Sequence, residues 1–474
     1  MHGPEERYLD GLNGLLYFLK NFFIHRESSE MADTKVDVFC LTDGLGQVLH
    51  PAVQATVLAK YSRSPMSARD IVSGLTLEEA DRFQDKWVVG YGHSSVAELA
   101  TIPLCFEGVS IVASKFLESW QRPGYSEKST RYQAFSRDSF VSPPGAPSTM
   151  KHFASRLYDA YESLLPKVSA IVAAKTGKDK DDRTVKARAF DNVRYLLPAG
   201  TGTNLAWVGN ARDVRYMISS ALGSTNPEFR AIGEAASKAV SELCPVFVRD
   251  AEPDSFEPTI RSLGKTSPKF DYRNPSWYVD VHRPHLMPSP DLVQKSFESS
   301  LADMYGMSWT AFCKHMDSRG KRAVPRIFRT ARIAFDVMMD YGAYRDLQRH
   351  RRCEQYPEPL AAGYGYLVPD DILGTDLEAE YRAAMDSVLA YEDETVVHDE
   401  DLMQYMIPLG YLHRSVFEMD LAELYYLSEL RTQPQGHISY RRVAYGMYSE
   451  ASALIPGLMR WCRAIRPDEI GEHR

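Results

Sequence analysis

"RYLLPAGTGTNLAWVGNARDVRYMISSAL", residues 194–222, can be laid on "QYMIPLGYLHRSVFEMDLAELYYLSELR", residues 404–431, without a gap. Pro198 falls on Pro408 and Tyr216 on Tyr426. Apolar positions correspond, whereas polar ones do not: Arg194 meets Gln404, Asn210 meets Asp420, Arg212 meets Ala422, and Ala221 meets Arg431. Two segments that share an apolar pattern over such a length signal a duplicated structural unit. Drift on the polar face is what neutral decay produces. It is also what results when two copies divide one set of polar duties.

Working outward from this match, each copy repeats the same order of parts. "KVDVFCL" (35–41) and "SWYVDVH" (276–282) alternate in the manner of strands. Each leads towards a stretch that reads as one long helix, "SSVAELATIPLCFEGVSIVASKFLESW" (94–120) or "RIFRTARIAFDVMMDYGAYRDLQRHRR" (326–352). Each stretch breaks at Gly or Pro and is followed by a capped helix, "STMKHFASRLYDAYESLL" (148–165) or "TDLEAEYRAAMDSVLAY" (375–391). The organisation expected is an N-terminal helical extension over 1–34, a first domain over 35–260 and a second over 261–474. "LNGLLYFLKNFFIHRESSE" within the extension is preceded by acidic residues and lacks a small-residue cleavage pattern, so it reads as an amphipathic helix; a start at Met31 is the competing view.

With 474 residues, 44% hydrophobic and 25% charged, the chain has material for more than one core. Six cysteines show neither a CxxC pair nor metal-ligand spacing, so no zinc site and no disulfide framework is expected, and a cytoplasmic setting fits. A net charge of −8 argues against broad nucleic-acid binding but leaves room for a local basic pocket. No apolar run reaches membrane-spanning length.

Chemistry concentrates in a few places. Arg349-His350-Arg351 stands at the end of the second long stretch. Cations at a helix end are ordinarily solvated caps. In the first half, "SWQRPGYSEKSTRYQAF" (119–135) holds Glu127, Ser129, Arg131 and Tyr132, and "GYGHSSVAELA" holds His93, Ser95 and Glu98. By itself, Ser95-Val-Ala-Glu98 is a capping box. "AGTGTN" (199–204) reads as a turn and helix start, lacking the spacing of a phosphate loop. No cysteine sits in a plausible nucleophilic setting; Cys353 comes nearest, beside cationic groups that would lower its pKa. His282 and His285 have no carboxylate at metal spacing.

Taken together these motifs resemble the flavin-dependent thymidylate synthases, a family marked by His-x-[Ser/Thr]-x-x-Glu, then R-H-R, then E-x-S-x-R-Y, an Arg four residues before a Pro, an N-x-R and a last Arg. The first half supplies His93, Ser95, Glu98, Glu127, Ser129, Arg131, Tyr132, Arg194 before Pro198, Asn210 and Arg212. Ser119-Trp120-Gln121 replaces its R-H-R, and Ala221 its last Arg. The second half holds Arg349-His350-Arg351 and Arg431 but has Pro359 in place of the motif serine.

The resemblance implies an α+β fold of two tandem copies, each a small antiparallel sheet packed with long helices, and one composite site drawn from both. It implies dUMP methylation to dTMP with FAD, methylenetetrahydrofolate and NADPH. Nucleotide contacts would come from Glu127, Ser129, Arg131, Arg194, Arg349 and Arg431. Arg431, favouring the ionised pyrimidine, and Arg349 would carry the chemistry. His93, Ser95, Glu98, Asn210, Arg212, Arg349, His350 and Arg351 would hold the flavin. Two chains would imitate the family's tetramer as a homodimer. Departures at Asp346 (family Gln), Ser126 (family Asn) and Thr225 (near an expected His) keep two alternatives open: a flavoenzyme acting on another pyrimidine nucleotide, and a non-catalytic nucleotide-binding homologue.

Overall fold

The computed structural model describes residues 47–90, 94–256, 277–281, 289–394 and 399–467, with positions 43 and 45. Residues 1–34, 35–41, His93, His282 and His285 lie outside the described residues.

Two antiparallel sheets carry the two copies. The first has the order β1-β3-β2, with β1 Thr101–Ser110, β2 Gly124–Glu127 and β3 Gly202–Asn210. The second has the order β4-β5-β7-β6, with β4 Tyr278–Val281, β5 Arg332–Asp340, β6 Cys353–Pro357 and β7 Leu412–Asp420. The helices that position the site are α1 Ile111–Glu118, α2 Ser148–Thr176, α3 Arg183–Val193, α4 Ala211–Leu222, α5 Pro227–Leu243, α6 Tyr341–Leu347, α7 Glu378–Glu394, α8 Leu421–Arg431 and α9 Ile438–Leu454. This is the expected α+β architecture in two copies: β1-α1-β2 corresponds to β5-α6-β6, β3-α4 to β7-α8, and α5 to α9.

The two stretches read as continuous helices are each a strand followed by a short helix. β1 pairs with β3 from Thr101 opposite Asn210 to Ser110 opposite Gly202, with a bulge between Phe106 and Val109 where Gly108 takes φ 64°. β5 pairs with β7 from Arg332 opposite Asp420 to Asp340 opposite Leu412. No loop separates strand from helix. One residue ends the strand and caps the helix: Ser110 Oγ accepts from Ala113 N–H (2.9 Å), and Asp340 Oδ1 accepts from Ala343 N–H (2.7 Å). Asn210 and Asp420 do the same for α4 and α8, accepting from Asp213 N–H and Glu423 N–H. A run without turn residues between the two periods therefore looks like a single helix in sequence. "AGTGTN" is also corrected: Ala199 and Gly200 form a turn, and the chain enters β3 at Gly202, because backbone pairing with β1 is available there.

The copies meet around Pro198 and Pro408, which face each other as an isolated antiparallel bridge. Ala199 N–H donates to Ile407 O (2.8 Å) and Leu409 N–H to Leu197 O (2.9 Å). Gly200 N–H donates to Tyr405 O (2.7 Å) and Gly410 N–H to Tyr195 O (3.0 Å). The bonds come in equivalent pairs, so the copies are related by a local twofold. A continuous core follows, in which Leu157, Tyr158, Leu164 and Leu196 of the first copy pack with Phe335, Tyr381, Met385 and Tyr405 of the second. Among the described residues no helix is long and apolar enough to cross a membrane.

Beside this crossing the copies have exchanged a polar pair. Ser110 Oγ donates to Glu228 Oε2 (2.6 Å), to which Tyr405 OH also donates (2.6 Å). At the equivalent place Ser439 Oγ donates to Asp340 Oδ2. One hydroxyl and one carboxylate occur in each copy, on opposite elements, because two buried carboxylates would repel and two hydroxyls would leave the cap uncharged. Ser110→Asp, which creates a carboxylate pair with Glu228, is expected to cost ~3 kcal/mol in urea unfolding, and adding Glu228→Ser is expected to return at least ~1 kcal/mol of it. Simple additivity of the two changes would contradict the exchange.

Candidate functional site

α6 begins at its Asp340 cap and ends at Leu347, so Arg349-His350-Arg351 sits just past a helix of 7 residues. The three side chains take different directions. Arg349 turns to the first copy, where its Nη2 lies 3.4 Å from Glu127 Oε2. Glu127 also accepts from Arg345 Nη2 (2.6 Å) and Ser114 Oγ (2.9 Å), and its side chain is only 1% exposed. Gln348 Nε2 donates to Lys115 O (2.8 Å), which adds a second tie from this segment to α1. Arg351 Nη1 donates to Gln121 O (3.2 Å), and its guanidinium stands 5.2 Å over the Tyr125 ring.

His350 points into the second copy. Its Nδ1 lies 2.9 Å from Glu423 Oε1, and its Nε2 accepts from Arg431 Nε at 2.8 Å. Because a guanidinium only donates, Nδ1 carries the proton and the ring is neutral. Burial, aided by the charge of Arg431, holds its pKa below the ordinary histidine value against the pull of Glu423. Arg431 occupies the last position of α8, where a cation opposes the dipole, and lies 5.6 Å over the Tyr440 ring.

From the first copy come Ser129, Arg131 and Arg194. Ser129 Oγ accepts from Arg131 N–H (3.2 Å), which folds the strip back and leaves the hydroxyl hydrogen free to donate. Arg131 forks onto Asp191 through Nε (2.6 Å) and Nη2 (2.7 Å). Arg194 is 3% exposed, with Nη2 at 3.5 Å from Asp346 Oδ2. Burial would raise the Asp346 pKa, but Arg194, Arg349, Arg431 and Arg131 together outweigh it and hold the carboxyl below its usual range. The charges of four arginines, drawn from both copies, therefore act on one carboxylate.

The remaining flavin candidates form a neighbouring group. Glu98 accepts from Arg212 Nη1 (2.7 Å) and Arg122 Nη1 (3.1 Å), so its carboxylate faces arginines. Asn210 caps α4, and Arg212 also reaches Tyr216 OH (3.4 Å). Ser95 is exposed on the short helix Ser94–Ala97. Residues 119–122 join the two groups, since Gln121 meets Arg351 while Arg122 meets Glu98. Tyr132 is exposed.

Several site residues were not anticipated. Asp191, Arg345, Glu423 and Glu118 are carboxylates and a cation whose partners lie far away in sequence. His437 carries a partial signal, as the polar residue opening a helix. Its Nε2 lies 3.2 Å from Asp191 O, and burial with Arg194 nearby holds its pKa down. Cys353 requires a correction: it is 2% exposed, and burial together with Glu423 and Glu354 pushes its thiol up, so the neighbouring cations do not activate it. Among the described residues no group of His, Cys, Asp and Glu could hold a metal ion.

The local twofold generates a second position, and there the pocket is filled. Phe116 stands where Asp346 does and stacks on Phe229 at 4.6 Å. Gln404, in place of Arg194, accepts the backbone N–H of Leu360 (3.2 Å). Ala221, in place of Arg431, lies 3.0 Å from where a Cβ on Gly233 would stand.

Glu118 supplies a titration handle. It is 5% exposed, and burial followed by the charge of Glu127 pushes its pKa up to about 7, against Arg349 and Arg345. A carboxyl raised in the folded state contributes stability below about 4.5 that is lost as pH rises through about 7. Glu118→Gln is therefore expected to raise stability at pH 8 by ~2 kcal/mol and leave it unchanged at pH 4, in chemical denaturation at the two pH values. An equal effect at both would contradict the assignment.

A family model described as thymidylate synthase complementing protein matches residues 49–246 and 296–457. A UPF0159 protein of Chlamydia muridarum is 30% identical over 88% of this chain and 90% of its own length. One of Chlamydia pneumoniae is 28% identical over 89% and 90%. A flavin-dependent thymidylate synthase of Geobacter sulfurreducens is 26% identical over 43% of this chain and 83% of its own length. A Helicobacter pylori flavin-dependent thymidylate synthase solved with FAD and dUMP aligns at 16% identity over 43% of this chain and 94% of its own, with a TM-score of 0.32, too loose an overlap to carry a structural argument.

Proposed function

Because the chain belongs to the thymidylate synthase complementing protein family, we propose that it is a flavin-dependent thymidylate synthase. It would methylate dUMP to dTMP with FAD as cofactor, methylenetetrahydrofolate as carbon donor and NADPH as reductant. The observation that supports this most is the joining of the two incomplete motif sets within one chain. Arg345 and Arg349 of the second copy hold Glu127 of the first, Arg194 of the first pairs with Asp346 of the second, and the charges of Arg131, Arg349 and Arg431 also act on Asp346.

A nucleotide monophosphate carries about two negative charges, which guanidinium forks meet through paired hydrogen bonds. Arg131 and the Ser129 hydroxyl would take the phosphate, with Arg194 more deeply buried and Arg349 more open to solvent. Arg431, oriented by neutral His350, faces the base. The residues also suit FAD. Arg122 and Arg212 are partly exposed guanidiniums for a diphosphate, Asn210 and Glu98 fix Arg212 and its surroundings, and Arg351 over Tyr125 offers a flat cationic surface. When bound, FAD would carry the reducing equivalents from NADPH. The protein's part is to orient the nucleotide, hold its charge and keep His350 neutral. We further propose that two chains pair by twofold symmetry into a four-copy assembly, with the domain division at residue 260.

The first measurement is of colour and product. Purified protein is expected to be yellow, to bind a single flavin per chain because Phe116 and Phe229 fill the second position, and to form dTMP from the three substrates. A colourless preparation that FAD cannot reconstitute would contradict the reading. Arg131→Lys and Arg349→Lys should each weaken dUMP binding by ~1.5 kcal/mol, about tenfold, by calorimetry. A solvated helix end would tolerate either change. Asp346 motivates a second reading, the same scaffold acting on another pyrimidine nucleotide, which tighter binding of dCMP than dUMP would favour.

A further inference from the structure

Arg349-His350-Arg351 belongs to neither α6 nor β6, so its backbone carbonyls need partners outside a helix or a ladder. One side chain serves both sides of Arg349. Gln355, on the edge strand β6, donates from Nε2 to Gln348 O (3.2 Å) and to His350 O (3.1 Å). Its own carbonyl oxygen is fixed in turn, accepting from Tyr344 OH at 3.2 Å. Backbone carbonyls only accept, so the amide has one workable orientation: turned over, it would set Oε1 against two oxygens.

Tyr344 is held from the first copy. It is buried, and Lys115 of α1 sets its Nζ 3.6 Å over the ring. Lys115 stands where the local twofold puts Arg345. Arg345 reaches Glu127, whereas the place of Glu127 in the second sheet is Pro357, and Lys115 lies over the tyrosine ring instead. The same twofold supplies a comparison for Gln355. Tyr125 takes its place on β2, opposite Trp207 as Gln355 is opposite Phe417. The Tyr125 hydroxyl donates to Trp120 O, the counterpart of His350 O. Both copies therefore tie this segment to an edge strand, by one bond where the arginines are lost and by two where they are kept.

We infer that Gln355, fixed by Tyr344, is a positioning residue that holds Arg349 and His350 at the composite site. This rests on the proposed function and adds to it, since Gln355 acts on the arginine through the backbone. An arginine loses rotamer freedom when it engages an anion, and a turn that is already tied avoids the further cost of ordering the main chain.

The test measures dUMP binding to the flavin-loaded protein by calorimetry. Gln355→Leu, which removes both donors, is expected to weaken binding about tenfold. Gln355→Glu should do the same, because it keeps the acceptor for Tyr344 and loses the donors. Tyr344→Phe should weaken binding about threefold and add nothing to Gln355→Leu, as the hydroxyl acts through the amide. Lys115→Arg, which retains a cation for the ring, should bind as wild type does, whereas Lys115→Met should resemble Tyr344→Phe. In an Arg349→Lys background the effect of Gln355→Leu should shrink well below about tenfold, because the side chain it positions is already impaired. Losses that multiply in both double variants, or unchanged binding in both Gln355 variants, would overturn the inference while leaving the proposed function standing. A wild-type protein that binds no dUMP would overturn the proposed function, and this inference with it.

Discussion

Everything in this molecule hangs from the backbone exchange at Pro198 and Pro408. Neither proline can donate, so the two segments touch there and pair through the residues on either side. The residues after the prolines then hold the helices that bear the site. Ile111 and Val112 N–H donate to Thr201 O and Ala199 O, and Tyr341 and Gly342 N–H donate to Tyr411 O and Leu409 O. α1 and α6 are thereby fixed to the crossing and to each other. Space is as tightly defined as bonding: a Cβ on Gly410 would stand 2.9 Å from both Tyr195 Cβ and Tyr381 OH. The crossing also places Arg194, four residues before Pro198, against the opening turn of α6, where a Cβ on Gly342 would lie 3.5 Å from its Nη2.

Given that frame, symmetry is expected and asymmetry needs a cause. The hydroxyl and carboxylate exchanged between Ser110–Glu228 and Asp340–Ser439 are equivalent chemically and cost neither copy anything. The arginines behave differently. The charges of four act on Asp346 on one side of the axis, while the equivalent place on the other side holds stacked Phe116 and Phe229. Concentrating charge at one position and packing the other with aromatic surface gives one polar site and one ordinary core region. The mixed arrangement, cations at both, would have required two sets of buried counter-ions.

Much of this was legible in the sequence, and the part that was not has a physical reason. The repeat over 194–222 and 404–431 was visible because buried positions on β3-α4 and β7-α8 tolerate only apolar replacements. The joining of Arg349 to the Glu127 strip followed from each copy lacking what the other keeps. The strands β1 and β5 were hidden inside apparent helices. A single capping residue, Ser110 or Asp340, switches the period without a turn signal, and strand pairing depends on partners about 70 to 110 residues away in the chain. Asp191, Glu423 and Glu118 were hidden for a related reason: a carboxylate acquires a role only when folding brings a cation to it. The direction of the Cys353 pKa was misjudged because its sequence neighbours Arg351 and Arg352 pair with Gln121 and Asp420, and burial decides the thiol's pKa.

The central claim is that both copies build one composite site within a single chain. It is tested most directly by preparing assemblies in which one chain carries Arg131→Ala and the other Arg349→Ala, and measuring dUMP binding. A site made within each chain predicts that every site in the mixed assembly is defective and that mixing restores nothing. Recovery of tight binding at half the sites would show that the two arginines come from different chains and would contradict the account.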